Sequence, residues 1–323
     1  YHGDASFAAD ALGRFGKSAM LGFFGDLGLL TSEKEGKIYP ANFCASSILD
    51  VLRFEIPEDL PVFTETRISD ISKEKGNFVL KAADGKEFFA EKVVLAFGGS
   101  SGDGFSTDGK SYALAEKFGH KTTTLAPSLV QLKTEREKIR GLKGIKQSVR
   151  ATLSDGDRTV KSFAGDLLFT DYGISGNAIF SLSAYLKGLK KPIVKIEFLP
   201  DKPLELLEKN LIEKVAKLKK GDRTCERLMI SVLPKNLAKN VAESCGITLG
   251  DTVDEKSAKS LAAAIKNFDL KVEGTACFAA AQVTAGGIDC RDVNAESMQS
   301  KLCEGLYIVG EALNVDGDCG GYN

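Results

Sequence analysis

Apolar residues recur at helical spacing between Asp4 and Leu30, in DASFAADALGRFGKSAMLGFFGDLGLL, with Gly16 and Gly28 as breaks. That spacing predicts two helices with a structural role. Pro40 and Asn42 mark a turn, and a helix is expected from about Ala45 to Phe54. From Pro61 the period drops to two. VFTETRISDISKE, NFVLKAA and KEFFAEK alternate apolar with polar, separated by Lys75-Gly76 and Asp84-Gly85. Asp-Gly is a strong hairpin signal, so these segments read as a small antiparallel meander. KVVLAFGG at 92–99 is instead continuously apolar, the pattern of a parallel strand covered on both faces. A short helix, SYALAEKFG, follows and closes at Gly119. Residues 305–311 repeat the motif, with Leu306, Tyr307, Ile308 and Val309 leading into Gly310 and Glu311. Two short buried strands thus deliver glycines to one sheet edge, as a doubly wound α/β sheet does for a nucleotide-like ligand.

Between these strands the texture changes. SLVQLKT, QSVRATLSD, RTVKSFAGDLLFT and PIVKIEFLP, with turns at GLKG and Asp155-Gly156-Asp157, suggest a small β-barrel or sandwich. PLELLEKNLIEKVAKLKK, TCERLMISVL, PKNLAKNVAESCG and SAKSLAAAIKNF are helical, punctuated by Pro203, Pro234 and Gly246. The simplest division is an α/β domain over 1–127 and 272–323. A β module (128–200) and a helical subdomain (201–271) interrupt it.

Composition narrows the chemistry. The 323 residues are 43% apolar and 27% charged, and 43 basic residues face 44 acidic ones for a net charge of −1. An ordinary soluble globular protein is expected, with no general electrostatic call for nucleic acid or anionic membrane. No apolar run approaches the roughly 20 residues that span a bilayer. Seven cysteines occur without CxxC spacing, which favours reduced thiols in the cytoplasm over a disulfide framework or zinc site. With His2 and His120 as the only histidines, His-dependent triads and His-based metal sites are nearly excluded, and no metal is expected. A catalyst of this composition would take its chemistry from a bound cofactor.

Four motifs stand out. Gly98-Gly99 follows a buried strand and lets backbone approach a ligand, although a tight turn would read the same. In residues 310–323, Glu311 and Asp316 can accept hydrogen bonds from ribose or polyol hydroxyls, while Gly317, Gly320 and Gly321 permit close approach to a flat ring. A calcium loop fails here, because the sixth residue from Asn314 is Cys319 rather than glycine. AAQVTAGGI (280–288) ends in Gly286-Gly287, and FTDYGISG (169–176) combines Thr170, Tyr172 and Ser175 with two glycines. Interdomain bends and loops explain both without chemistry. His120 reads as a C-cap or surface residue, and His2 carries no signal.

In order, the chain reads GKIYPANFCASSILDVLR at 36–53, KVVLAFGG at 92–99, and SYALAEKFGH with LAPSLVQL within 111–132. LLFTDYGISGNAI follows at 167–179, GTACFAAAQVTAGGI at 274–288 and GLYIVGEALNVDGDCGGYN at 305–323. This resembles, over essentially the whole chain, the YhiN/BaiN family of NAD(P)/FAD-dependent oxidoreductases, which includes aminoacetone oxidase-like members. The resemblance implies a glutathione-reductase-like FAD-binding α/β domain with an inserted β-barrel and helical subdomain. It implies FAD as cofactor, with NAD(P)H as a possible co-substrate and a small molecule as substrate. Ala96, Gly98 and Gly99 would approach the FAD. Gly310, Glu311, Asp316 and Gly317 would hold its pyrophosphate-ribityl region, and Gly320, Gly321, Tyr322 and Asn323 would lie near the isoalloxazine. Thr170, Tyr172, Ser175, Thr284, Gly286 and Gly287 would line the substrate side. No residue is singled out as catalytic acid or base.

The chain departs from the family pattern at Phe97, where the family has a small hydroxyl residue, and in SSGDGFSTDGKS after the glycines. The family's opening GxGxxG turn does not precede Tyr1, and its closing helix does not follow Asn323. The chain as written therefore reads as a truncated form that binds FAD weakly or not at all. The sequence does not choose between amine oxidation and enone reduction. A second reading is a non-catalytic flavin-binding or regulatory protein whose inserted domains bind a macromolecule such as RNA. Nucleic acid is disfavoured by the net charge and kept open by Arg136, Lys138, Arg140, Lys143, Lys146 and Arg150.

Overall fold

The alternating strands of the insert curl into a closed antiparallel barrel. In the computed structural model, which describes all residues except Glu35, residues 103–106, Cys319 and Asn323, its strand order is Lys146–Asp155, Arg158–Phe169, Gly173–Ser175, Leu132–Thr134, Phe268–Thr275, Pro192–Phe198. Every second side chain points inward, so Val149, Ala151, Leu153, Val194, Ile196 and Phe198 are buried together. The short Gly173–Ser175 and Leu132–Thr134 strands close the seam, and the seam needs Gly173. A Cβ there would collide with Leu132 O and sit 2.9 Å from Lys133 Cα.

Helices Leu204–Lys217, Cys225–Met229, Lys235–Ser244 and Glu255–Lys266 come between the last two barrel strands in sequence. They bury Leu211, Leu237, Val241, Leu261 and Ile265 in the same core as the barrel. The last of them starts where Asp254 Oδ1 accepts the Ser257 amide at 2.8 Å. The final barrel strand crosses the expected boundary at 271/272. Phe268–Thr275 belongs to the barrel, because FDLKVEGT alternates as soon as the preceding helix ends.

The second core lies in the α/β part. Strands Val93–Leu95 and Leu306–Ile308 pair in parallel, with Val93 opposite Leu306 and Leu95 opposite Ile308. The meander Ile68–Glu74, Asn77–Ala82, Glu87–Ala90 packs on them with helix Tyr112–Glu116. Burial of the first parallel strand is alternating rather than continuous. Val94 is 58% exposed, since among the described residues the strand pairs only with Leu306–Ile308. Expected strand from Pro61 begins only at Ile68, after a stretch in which Pro57 and Pro61 offer no amide donors.

Helices Ala5–Arg14, Lys17–Asp26 and Ser46–Phe54 form where the spacing requires, but none contains a buried residue. A hairpin of Thr31–Lys34 and Lys37–Pro40 separates them and was too short to register as a pattern. His120 is neither a cap nor a surface residue. It is 3% exposed, lies 2.7 Å from Ser300 Oγ through Nε2, and burial lowers its pKa. Among the described residues, no helix is long and apolar enough to cross a membrane.

Candidate active site

The two parallel strands end side by side, and the Val309 amide donates to Leu95 O at 3.1 Å. Beyond them the chain turns through Gly98 (φ +74°) and Gly310 (φ +71°), in the left-handed region that glycine enters freely. Among the described residues, nothing lies within 4 Å of the place a Cβ would take at Gly310, and at Gly98 only Thr107 Cγ2 does, at 3.6 Å. Gly99 differs from both. A Cβ there would strike Thr284 Oγ1 and lie 2.8 Å from Glu311 Oε1, so its hydrogen faces protein.

Thr284, 1% exposed on strand Val283–Ala285, is the hub of this cluster. Its hydroxyl accepts the Ser100 amide at 2.7 Å and lies 2.9 Å from Ser101 Oγ. Its own amide donates to Glu311 Oε1 at 2.7 Å. The structure thus joins Gly99, Thr284 and Glu311, residues separated in sequence and expected in different roles. Tyr112 Oη is buried close by, without a hydrogen-bond partner among the described residues. Burial first, and then the Glu311 charge, push that phenol up to about 12.

Asp316 sits on a two-residue strand paired with His2–Gly3, opposite His2. It is 2% exposed, and its Oδ2 has no hydrogen-bond partner among the described residues. Burial raises its pKa. The charges of His2 and Lys187 pull the other way, and that of Glu311 adds to the rise. Two residues on, Asp318 Oδ1 accepts the Tyr185 hydroxyl at 2.8 Å and lies 2.7 Å from His2 Nε2. The His2 and Tyr185 rings meet edge-to-face at 4.8 Å. Burial alone would raise Asp318, but the hydrogen bonds from Tyr185 and His2 hold it below its ordinary value. Tyr185 is pushed up to about 12, by burial and then by Asp318.

Asp318 also lines a cavity of 400 Å³ between the C-terminal loop and the barrel, with Lys37, Phe163, Asn177, Phe180 and Gln282. Small-ligand pockets run from about 300 Å³ upward. No pattern in the sequence points to His2, Tyr185, Asn177 or Gln282. Tyr185 lies in the turn just after helix Asn177–Ser183, and its partner is 133 positions away.

The remaining expected residues are placed as follows. Ala96 lines a 290 Å³ groove beside the exposed strand edge, with Val94 and Phe97. Gly320–Tyr322 forms a single 3₁₀ turn, with the exposed Tyr322 ring 6.0 Å from that of Tyr1. Gly317 is buried, and Asn323 lies outside the described residues. Gly286 and Gly287 are fixed by packing. A Cβ would lie 2.5 Å from Thr124 O at the first and 2.6 Å from Leu313 O at the second. Thr170, Tyr172 and Ser175 sit on the barrel seam, where the Thr134 amide donates to Tyr172 O at 3.1 Å. No hydrogen bond or ion pair among the described residues joins these three to Gly99, Thr284 or Glu311.

A parallel strand pair with glycine turns at its carboxyl ends, interrupted by a barrel and helices, is a Rossmann-type α/β protein carrying an insert. The chain belongs to the family described as HI0933-like protein Rossmann domain, which matches residues 1–323. It is similar to the 3-dehydro-bile acid delta(4,6)-reductase of Clostridium scindens, with 34% identity across 100% of this chain and 80% of that protein. It is also similar to two proteins named ribosomal RNA dihydrouridine synthase. That of Haemophilus influenzae is 29% identical over 98% of this chain and 78% of the relative. That of Escherichia coli is 27% identical over the same shares.

Proposed function

We propose that this chain is a flavin-dependent oxidoreductase that adds hydrogen across an activated carbon–carbon double bond of its substrate. The observation that carries the reading is Asp316, a carboxylate at 2% exposure with one oxygen unpartnered among the described residues, set near Glu311 beyond the carboxyl ends of a parallel strand pair. A carboxylate is an acceptor for hydroxyl donors, and the ribityl and ribose groups of FAD are rich in them. Gly98 and Gly310 leave backbone open just past the parallel strands. These residues fit the group. Asp316 and Glu311 would hold its hydroxyls, and the turns at Gly98 and Gly310 would admit its backbone-hugging part.

When bound, a flavin reduced by NAD(P)H supplies the hydride that the side chains of this chain cannot. The chain's own contribution is placement and protons. Thr284 and Glu311 lock the Gly99–Ser101 turn against the strand that follows the cavity residue Gln282. Asp318 holds Tyr185 Oη, and a phenol raised to about 12 keeps its proton at neutral pH.

The relatives' names support the direction of the reaction. Delta(4,6)-reductase and dihydrouridine synthase both denote addition of hydrogen across a carbon–carbon double bond. The greater similarity favours a conjugated enone in a small molecule over a uridine in RNA. Oxidation of NAD(P)H by the flavin-loaded protein, with a conjugated 3-oxosteroid or an RNA as acceptor, tests this beside oxygen uptake with amines. NAD(P)H consumption that depends on the enone is expected. Amine-dependent oxygen uptake with no turnover of either acceptor would overturn the reading.

A further inference from the structure

The segment between barrel strands Leu132–Thr134 and Lys146–Asp155 is tied down by hydrogen bonds on both sides. Asn240 Nδ2 donates to the carbonyls of Lys138 (2.8 Å) and Arg140 (3.1 Å), and Asn236 Nδ2 to that of Gly141 (3.2 Å). On the other side, the Gly144 amide donates to Phe169 O at 2.9 Å and the Phe169 amide to Ile145 O at 3.0 Å. Against it lies a half-open cavity of 380 Å³ lined by Arg136, Arg140, Lys143, Glu137, Asp171 and Thr170. Three cations therefore face two carboxylates.

Ion-pair partners sharpen the picture. Along this face Lys138 pairs with Glu135 at 3.1 Å, Lys146 with Asp166 at 2.8 Å, Arg150 with Glu197 at 3.4 Å, and Lys143 with Asp171. Arg136 and Arg140, four positions apart across one helical turn, have no carboxylate within ion-pair distance among the described residues. At the cavity wall Thr170 Oγ1 is buried and has no hydrogen-bond partner among the described residues. A buried hydroxyl that makes no bond calls for a partner from outside the chain.

We infer that this cavity is a phosphate-binding site, in which Arg136 and Arg140 fork onto the oxyanion and the Thr170 hydroxyl donates to it. Guanidinium groups match phosphate oxygens two at a time, and a hydroxyl supplies the one further donor that an oxyanion accepts. The cavity is larger than one phosphate, so the group belongs to a bigger molecule, either a phosphorylated small molecule or a nucleic-acid backbone. The site stands apart from the Gly98–Asp316 region and needs no flavin.

Phosphorus NMR of inorganic phosphate with the full chain tests the site, with added FAD to occupy the other anion-accepting region. Saturable line broadening that survives FAD is expected. Arg136→Ala and Arg140→Ala, both exposed substitutions, are each expected to weaken it about tenfold, the loss of one charge-assisted hydrogen bond. Thr170→Val, which keeps the side-chain shape, is expected to weaken it by a smaller factor. Thermal melts of the variants verify that each stays folded. A mononucleotide and a short oligoribonucleotide titrated in parallel identify the source of the phosphate by which binds more tightly through the same arginines. Absence of saturable binding, or binding that all three folded variants retain, would overturn the site.

Discussion

A carboxylate at 2% exposure with one oxygen unpartnered, as at Asp316, lowers stability unless something outside the fold uses it. Its pKa is raised from the ordinary 3.8, so the folded chain binds its proton more tightly than the unfolded chain does. Stability therefore falls as pH climbs from 3.8 through the raised value. Asp316→Asn removes that ionisation. Urea midpoints are expected to rise at neutral pH, with the gain vanishing below pH 3.8. Flavin affinity is expected to fall in the same variant, the pairing of stability gained with function lost that marks a binding residue. A neutral-pH midpoint below wild type would show that the carboxylate is satisfied after all. Glu311 and Asp316 stand out in the sequence as acidic residues beside glycines at a strand end, a pattern that suggests hydroxyl binding. The role of Thr284 as the hub between Gly99 and Glu311 was not legible, since it depends on contacts across 184 and 27 positions.

At the scale of elements, periodicity carried most of the prediction where packing is local. The meander, the long barrel strands and the helices within 204–266 all follow from their spacing. It failed where partners decide. Val93–Leu95 reads as a strand covered on both faces, yet its burial depends on neighbours the three residues cannot specify. Gly173–Ser175 is too short to show a pattern, although it closes the barrel against Leu132–Lys133. Gly173→Ala tests that closure. Ordinary overpacking costs about 1–3 kcal/mol. Here the obstruction is the Leu132 backbone, which a side-chain rotation does not relieve, so the loss is expected at or above the top of that range. Chemical denaturation followed by far-ultraviolet circular dichroism measures it. An unchanged midpoint would mean that the seam can part without consequence.

Across the whole molecule, the barrel and the α/β part meet where Tyr185 reaches Asp318. The 400 Å³ cavity lies against this junction, so its walls come from both parts. That arrangement explains why the sequence named a cofactor more readily than a substrate. The proposed cofactor wall draws on a few glycine-rich segments, whereas the cavity draws single residues, such as Lys37, Phe163 and Gln282, from across the chain. The central claim is that flavin binds at the carboxyl ends of the parallel strands. Amide NMR of the isotope-labelled chain titrated with FAD tests it most directly, because it detects even weak binding. The account predicts that the first resonances to move are those of Gly98–Ser101, Thr284 and Gly310–Gly317. No change at any FAD concentration, or changes confined to the helices within 204–266, would contradict it.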